Sequence, residues 1–376
     1  MKQEKTHTPI ESICQLQALA REQQIIEYCA FQNLDFTLAG SHVLACEYHE
    51  CMFLGCTIPA ELKQKIGEDN LVFPSIKVPY NVFRSQLYSP YSLYEGYQPG
   101  NPPSYKNSFD SKIYEHYLKL GKRTTNIQET LARSLHDHAI SDAMHDLLSL
   151  YDERQIIGIM GGHGLLRTDE MYRKIVYISK TLTEEDFLLV SGGGPGAMEA
   201  THLGAWMAGR TNEEVADALC TLNVAPNYQH SEWLDSAFQV MKKYPQEKYV
   251  SLGVPTWLYG HEPATPFATH IAKYFENSIR EDGILTIAMG GIIYSPGSAG
   301  TMQEIFQDAV QNHYLSFGYA SPMIFLGKEY WNDEMPVYPL LQHLMKKGKY
   351  KNLLLTISNS QAEIVETIKA FKDKNQ

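Results

Sequence analysis

The chain has 376 residues, a formal net charge of −11 at neutral pH, 44% hydrophobic residues and 20% charged residues. This composition is typical of a globular protein with a sizeable core and room for two domains. The acidic balance, without a run of five basic residues, argues against a nucleic-acid polymer as partner, although a local pocket can still bind a small anion.

The first residues lack the apolar core of a secretory signal, and no run of eighteen apolar residues occurs. We therefore expect a cytoplasmic protein with no membrane partner. Six cysteines without a C-x-x-C pair indicate reduced thiols. Cys46, Cys51 and Cys56 are five residues apart, which is not a zinc-site spacing. We expect no metal and no cofactor.

Residues 1–80 predict an N-terminal extension of mixed strand and helix, with a helix near Ile10–Tyr28. A small residue stands two positions before a larger apolar one at Cys46-x-Tyr48, Cys51-x-Phe53 and Cys56-x-Ile58. This five-residue recurrence resembles a degenerate pentapeptide repeat, in which small and bulky side chains alternate inside a square β-coil. Two ordinary strands would give the same letters, and both interpretations stay open.

Residues 81–150 predict a Pro/Tyr-rich linker followed by a helical segment. Proline and tyrosine are dense from Pro74 to Tyr105, and proline withholds a backbone donor and fixes φ. Within the helical part, His136-Asp137-His138 has the residue types of a metal or acid–base group. Three consecutive residues do not share a helix face, so a solvated or hydrogen-bonded structural set is the favoured interpretation.

Residues 151–376 alternate short apolar runs with helical patterns. The first runs are Ile156–Met160 and Phe187–Val190. The pattern also predicts a strand at Ala218–Val224 and a helix over Thr269–Ile279, and it leaves 284–289 undecided. Such alternation predicts an α/β fold with a Rossmann-like, doubly wound parallel sheet. Ligands of such sheets bind beyond the carboxyl ends of the strands.

The run Ser295–Glu304 reads as the end of a strand, a glycine turn and the start of a helix. Such a turn leaves backbone N–H groups free at a helix N-terminus, where an anion is favoured. Glu304 follows Thr301 by three residues on the same helix face. A phosphate at the turn would therefore place a sugar beside this carboxylate. The same letters also suit a capping box with Thr301 as N-cap, and that alternative stays open.

A second glycine turn, Gly192-Gly193-Gly194-Pro195-Gly196, precedes Met198. Neither this turn nor Gly161–Gly164 spells the dinucleotide fingerprint, and no Walker lysine follows either of them. Together the turns at Gly192–Gly196 and Pro296–Gly300 resemble the Lonely Guy (LOG) family, formerly mislabelled lysine decarboxylases, which pairs a GGGxGxMxA turn with a PGGxGTxxE turn. The resemblance covers about residues 151–376, and Ser298 stands where the family commonly has glycine.

The resemblance implies hydrolysis of the N-glycosidic bond of a nucleoside 5′-monophosphate, giving free base and ribose 5-phosphate. It places Glu304 as catalytic carboxylate and Arg280 as its partner and phosphate ligand. A carboxylate there would stabilise an oxocarbenium-like sugar or activate water. The implied phosphate and substrate contacts are Gly297, Ser298, Gly300 and Thr301, with Gly192, Gly193, Gly194 and Met198 against the ribose and base. Without the motif, Arg280 would read as a surface pair with Glu281 or Asp282.

Two further residues are candidates for the site. His163 lies in a third glycine turn, Gly161–Gly164. It either meets a phosphate or acts as an acid, or it caps a helix or faces the solvent. Glu262 lies in the aromatic-rich loop 256–263, which either forms a base pocket or buries an irregular loop. The sequence thus predicts a nucleotide nucleosidase that forms a homo-oligomer. The alternative is a nucleotide-binding sensor module without catalysis.

Overall fold

The structure is a computed structural model that describes residues 6–374. The chain divides into two compact units, one formed by the residues up to Leu87 with Leu120–His145, the other by Tyr88–Lys119 with the chain from Asp146 onward. None of the helices within residues 6–374 combines the length and apolar character that a bilayer crossing requires.

The first unit contains a short stack of parallel strands. Its strands and short helices are β1 (Thr8–Ile10), α1 (Ile13–Glu22), β2 (Ile25–Glu27), β3 (Cys29–Gln32), α2 (Ser41–Ala45), β4 (Glu47–His49), β5 (Met52–Leu54), α3 (Ala60–Lys63) and β6 (Leu71–Phe73). A four-stranded sheet has the order β1-β3-β5-β6, and a second sheet pairs β2 with β4. All of these pairings are parallel.

The repeat length of this stack is the number of residues in one coil, which differs from the five-residue spacing of the cysteines. Ala30 pairs with Met52 and Ile25 with Glu47, each 22 residues further along the chain. Left-handed backbone recurs at the same interval, at Asn33 (φ 52°) and Gly55 (φ 67°). Equivalent residues therefore lie on top of one another in successive coils.

The interior of the stack is aromatic. The buried rings of Phe31 and Phe53 lie 5.0 Å apart on neighbouring strands, and both contact Phe36 and Tyr48. The predicted helix near 10–28 is shorter in the structure: α1 ends at Glu22 because β2 follows at once. The helix α6 (Ile127–Leu148) begins in this unit. There His136 is buried against Asp137 while His138 is exposed, so the three do not form one cluster.

The second unit is an α/β sandwich. Its elements are α4 (Pro90–Leu93), α5 (Phe109–Leu120), β7 (Ile156–Met160), α7 (Glu170–Glu184), β8 (Leu188–Ser191), α8 (Ala197–Trp206), α9 (Asn212–Leu222), α10 (Trp233–Lys243), β9 (Ser251–Gly253), β10 (His270–Ile271), α11 (Asn277–Ile287), β11 (Gly291–Tyr294), α12 (Ala299–Tyr314), β12 (Pro322–Leu326), α13 (Val337–Lys346), β13 (Leu354–Ser358) and α14 (Gln361–Lys374). The seven-stranded sheet has the order β10-β9-β8-β7-β11-β12-β13.

Every pairing in this sheet is parallel, and β7 and β8 are buried along their whole length. The expected Rossmann-like, doubly wound parallel sheet is confirmed. The chain builds outward from β7 to β10 and then returns to the other side of β7 as β11. The order of strands thus reverses between β7 and β11, which is where such sheets bind ligands.

Two local predictions in this unit are wrong. Residues 218–222 of the predicted strand lie in α9, which begins with a capping box between Thr211 and Glu214. The predicted helix Thr269–Ile279 contains the edge strand β10, and helix begins only at Asn277. Of the undecided residues 284–289, those up to Ile287 continue α11.

Candidate functional site

A pocket of about 230 Å³ opens where the strand order reverses. It lies at the carboxyl ends of β7, β8 and β11, and α11 and α12 supply its charged side chains. It is lined by Met160, Gly161, Gly162, His163, Gly192, Met198, Tyr259, Glu262, Arg280, Glu281, Ser298, Gly300, Thr301, Gln303 and Glu304. Nine of the site residues predicted from the sequence are in this set, and it brings together the three glycine turns.

The N-terminus of α12 faces the pocket without a side-chain cap. Ser298 is the N-cap residue, and within the described chain no side chain accepts a hydrogen bond from the first turn. Thr301 is the third residue of the helix and not its cap, which rules out the capping box between Thr301 and Glu304. The first N–H groups of a helix lack intrahelical acceptors, so those of this turn are available to an anion.

The loop before α12 is held in place by neighbouring backbone. The N–H of Gly162 donates to the carbonyl of Pro296 at 3.1 Å, and the hydroxyl of Tyr330 donates to the carbonyl of Gly297 at 2.5 Å. A Cβ atom at Gly297 would overlap the side chain of Thr301. Gly297 does not line the pocket itself. It allows the loop to turn closely enough for Ser298 and Gly300 to do so.

Glu304 lies in the second turn of α12 and reaches the pocket wall. Its side chain is partly exposed to the pocket yet surrounded by protein, and burial raises its pKa from 4.5 to about 7. The nearby Arg280 opposes this rise, whereas Glu281 adds to it. A carboxyl with such a pKa exchanges protons readily near neutral pH.

Arg280 projects from α11 into the same pocket. Its Nε donates to the carbonyl of Val254 at 3.1 Å, and its guanidinium lies against Gly192. The acidic neighbour Glu281 accepts hydrogen bonds from Asn277 at 2.7 Å and from Gln303 at 3.2 Å. Arg280 is thus directed to the glycine turn and the pocket, where its outer nitrogen atoms can meet an anion.

The second glycine turn supports the pocket from behind. Gly193 (φ 69°) and Gly196 (φ 71°) have left-handed backbone, which glycine adopts without strain. The carbonyl of Gly193 accepts from the N–H of Thr265 at 2.8 Å. Gly193 and Gly194 do not line the pocket, whereas Gly192 and Met198 do.

A buried histidine fixes this turn. His202 lies between the hydroxyls of Ser191, at 2.8 Å, and Ser251, at 2.9 Å. Complete burial lowers the pKa of His202 to about 3, so the ring is neutral at physiological pH. The same Ser191 hydroxyl accepts a hydrogen bond from the N–H of Gly193.

His163 and Glu262 line the opposite wall. The Nδ1 atom of His163 lies 3.7 Å from Glu262 Oε1, and Nε2 of His261 lies 3.8 Å from the same oxygen. In the loop 256–263, Tyr259 also reaches the pocket, whereas Trp257 is buried against Phe275 with ring centroids 4.4 Å apart.

Sequence reasoning missed four side chains of the pocket: Met160, Tyr259, Glu281 and Gln303. Tyr259 belongs to the aromatic-rich loop 256–263, and the sequence offers Glu281 only as a surface partner of Arg280. No sequence pattern predicts that Met160 or Gln303 lies in a site.

Behind Glu304, one turn further along α12, Asp308 accepts a hydrogen bond from the hydroxyl of Tyr294 at 2.7 Å. Burial raises the pKa of Asp308 to about 7.

No protein-family model matches the chain, and no curated protein matches it. Several solved structures are similar to the chain over 58% of its length. The molybdenum cofactor binding protein from Rippkaea orientalis is 17% identical, covered over 96% of its own chain, with a TM-score of 0.36. Two structures of the molybdenum cofactor carrier protein from Chlamydomonas reinhardtii are each 15% identical, covered over 97% and 98%, with TM-scores of 0.35 and 0.34.

The expected membership of the LOG family is wrong. No family model supports it, and the three solved structures named above are molybdenum cofactor proteins. The physical reason is that glycine-rich turns after parallel strands satisfy a backbone requirement common to Rossmann-like sheets. The turns at Gly192–Gly196 and Pro296–Gly300 therefore identify the kind of fold, which many unrelated functions share.

Proposed function

We propose that this chain binds a nucleoside 5′-monophosphate and hydrolyses its N-glycosidic bond, releasing free base and ribose 5-phosphate. One observation carries the proposal. Glu304, whose pKa burial raises to about 7, lines a pocket from the second turn of a helix whose N-terminus is uncapped. A phosphate bound at that terminus would bring its sugar towards this carboxyl group.

The phosphate contacts follow from the first turn of α12. The backbone N–H groups around Gly300 and Thr301 would donate to phosphate oxygens, helped by the partial positive charge of the helix end. The guanidinium of Arg280 would supply charge-assisted hydrogen bonds from the facing wall. Among the pocket residues, Arg280 offsets the carboxylates of Glu262 and Glu281, which would otherwise repel an anion.

The reaction needs a proton acceptor for water and stabilisation of positive charge on the sugar. The bond from C1′ to the base breaks with its electron pair going to the base nitrogen, which takes up a proton from bulk water. The oxygen of water bonds to C1′ and gives a proton to Glu304. In its ionised form Glu304 also stabilises the oxocarbenium-like transition state.

We also propose that the reaction takes place in the cytoplasm. All six cysteines are free thiols, which supports a reducing compartment such as the cytoplasm. The homo-oligomer predicted from the sequence stays a prediction, and light scattering of the purified protein tests it.

Incubation of the purified protein with AMP, GMP, CMP, UMP and IMP, followed by chromatography of free base, tests the proposed hydrolysis. We expect release of base from at least one nucleotide. Glu304→Gln should abolish release while retaining the ligand-induced rise in Tm. Glu170→Gln is the matched control, since that carboxylate lies on the surface of α7 beside Lys174, and it should behave as the wild type.

Each other outcome contradicts a defined part of the proposal. A nucleotide that raises Tm without any release of base contradicts hydrolysis and favours the sensor module. Full turnover in Glu304→Gln removes Glu304 from the mechanism. Neither stabilisation nor release with any of the five nucleotides overturns the proposal altogether.

A further inference from the structure

A second cavity, of about 390 Å³, lies in the α/β unit and is larger than the first. We call it the aromatic cavity. The residues that define it are Tyr97, Tyr105, Tyr228, His230, Trp233 and His261. They come from three separate segments of the chain, so the cavity exists only because the fold brings these segments together.

The chemistry of its walls differs from that of the first pocket. Among the described residues that line the aromatic cavity, none is Lys, Arg, Asp or Glu, whereas the first pocket contains Arg280 and three glutamates. Tyrosine and tryptophan faces bind flat rings by stacking. A neutral planar molecule therefore suits this cavity better than a phosphate or a carboxylate.

The aromatic walls are held rigidly. Tyr97 packs against Phe238 with centroids 5.5 Å apart, and Tyr105 packs against Tyr94 at 6.2 Å. The ring of Trp233 lies beneath the guanidinium of Arg167 at 4.9 Å. Walls that are already ordered lose little conformational freedom when a ligand binds.

Arg167 is itself fixed. It forms a buried ion pair with Glu199, with Nη2 and Oε1 2.5 Å apart, and Glu199 also accepts from the hydroxyl of Tyr172 at 3.0 Å. Arg167 Nη2 donates to the carbonyl of Trp233 at 3.1 Å. The rear of the aromatic cavity is thus anchored to the first turn of α8.

The two cavities are neighbours, although none of the described residues lines both. The ring of His163, which lines the first pocket, lies 6.4 Å from the ring of Tyr228, which lines the aromatic cavity. Glu262, in the first pocket, is adjacent in sequence to His261, in the second. A molecule in one cavity therefore lies close to the other without occupying it.

We propose that the aromatic cavity binds a neutral, planar heteroaromatic molecule of nucleobase type, stacked on Tyr228 and independent of the anion site at α12. The imidazoles of His230 and His261 at its exposed side can exchange hydrogen bonds with the ring nitrogen and oxygen atoms of such a ligand. This assignment does not require the hydrolytic activity proposed above.

Isothermal titration of the purified full-length protein with adenine, uracil and nicotinamide tests the assignment. We expect saturable binding of at least one of these neutral rings and much weaker binding of benzoate, which is aromatic but charged. Saturating ribose 5-phosphate should leave the affinity unchanged, because it addresses the first pocket. Displacement by ribose 5-phosphate would place the ring in the first pocket and overturn the assignment.

Two variants locate the bound ring. Tyr228→Leu keeps an apolar side chain but removes the stacking face, and it should weaken binding at least about tenfold. His230→Trp changes an exposed residue at the cavity mouth, so it should block entry without disturbing the fold. Glu304→Gln is the control and should bind as tightly as the wild type. Unchanged affinity in both cavity variants, or no binding of the three rings, overturns the assignment.

Discussion

The guanidinium of Arg280 occupies the space in which a Cβ atom at Gly192 would lie. The glycine after β8 is therefore needed for a side chain on α11, almost ninety residues later in the chain, and not for left-handed backbone. Gly192 permits Arg280 to reach the first pocket while Nε of Arg280 donates to the carbonyl of Val254.

Gly192→Ala should displace Arg280 and leave the fold intact. The atoms that the new methyl group would meet are the ends of two flexible side chains, those of Arg280 and Met198. Loss of charge-assisted hydrogen bonds worth about 1.5–3 kcal/mol should lower kcat/KM for base release roughly 10- to 100-fold. Kinetics and a thermal melt of the same sample measure both effects.

Gly283→Ala is the matched control for that substitution. Gly283 lies on the same helix as Arg280, and a Cβ atom there meets no atom within 4 Å. It should leave activity unchanged and stabilise α11 by up to about 1 kcal/mol. If Gly192→Ala retains full activity, Arg280 is not positioned through this contact.

The rate of base release should rise with pH through about 7. Burial raises the pKa of Glu304 to about 7, and only the ionised carboxylate can accept a proton from water. The kcat profile of the wild type from pH 5.5 to 8.5 measures the inflection. An inflection near 4.5, the ordinary pKa of a glutamate, would show that the carboxyl group on which the rate depends is not Glu304.

The raised pKa of Asp308 predicts how the stability of the folded protein depends on pH. Burial raises its pKa from 3.8 to about 7, so between those values the folded protein holds a proton that the unfolded chain releases. The stabilising contribution is complete below pH 3.8 and is lost as the pH rises through 7. Asp308→Asn should therefore gain stability relative to the wild type between pH 5 and pH 8.

Urea unfolding at pH 5 and at pH 8 measures this gain in stability. The asparagine retains an oxygen that can accept from Tyr294, whose hydroxyl bonds Asp308 at 2.7 Å. Because Asp308 does not line the pocket, the inflection in kcat should stay near 7. An identical stability difference at pH 5 and pH 8 would mean that Asp308 does not titrate in this range.

The sheet and the first pocket were accessible from the sequence because their signals are local. Buried strands such as Ile156–Met160 are continuous apolar runs, and a glycine turn after such a strand must lie at its carboxyl end. Glu304 is identified by its position three residues after Thr301 on the helix that follows such a turn, whereas only the resemblance to the LOG family implies Arg280. Whether these residues catalyse a reaction stays a prediction.

The errors arise where another signal, local or tertiary, overrides the pattern of apolar residues. The segment Ala218–Val224 is apolar enough for a strand, but the capping box at Thr211 starts a helix that runs through it. The segment after Thr269 has helical spacing, yet it pairs as the edge strand β10 and buries Lys273. A buried lysine is not visible in a sequence, because its partner Asp110 lies far away along the chain.

Removing the charge of Lys273 should be strongly destabilising. Its Nζ lies 2.5 Å from Asp110 Oδ1, both side chains are almost fully buried, and the same oxygen accepts from Nε1 of Trp257 at 2.9 Å. Lys273→Met leaves an uncompensated carboxylate and should cost about 3–5 kcal/mol in urea unfolding. Adding Asp110→Asn removes that charge and should recover part of the loss.

The control for Lys273 is an ion pair on the surface. Lys243 lies 2.7 Å from Asp217 with both side chains well exposed, so Lys243→Met should cost less than about 1 kcal/mol. Equal losses in the two lysine variants would show that burial of the Lys273 pair has no energetic consequence.

The aromatic interior of the coil stack gives the last prediction. Phe53 is fully buried and contacts the rings of Phe31, Phe36 and Tyr48. Phe53→Ala removes a ring from the centre of this cluster, and we expect a loss of about 3–5 kcal/mol in urea unfolding. Phe73, on the edge strand β6, is 37% exposed, so Phe73→Ala should cost much less. Equal losses at Phe53 and Phe73 would contradict a 22-residue coil whose stability comes from stacking equivalent rings in its interior.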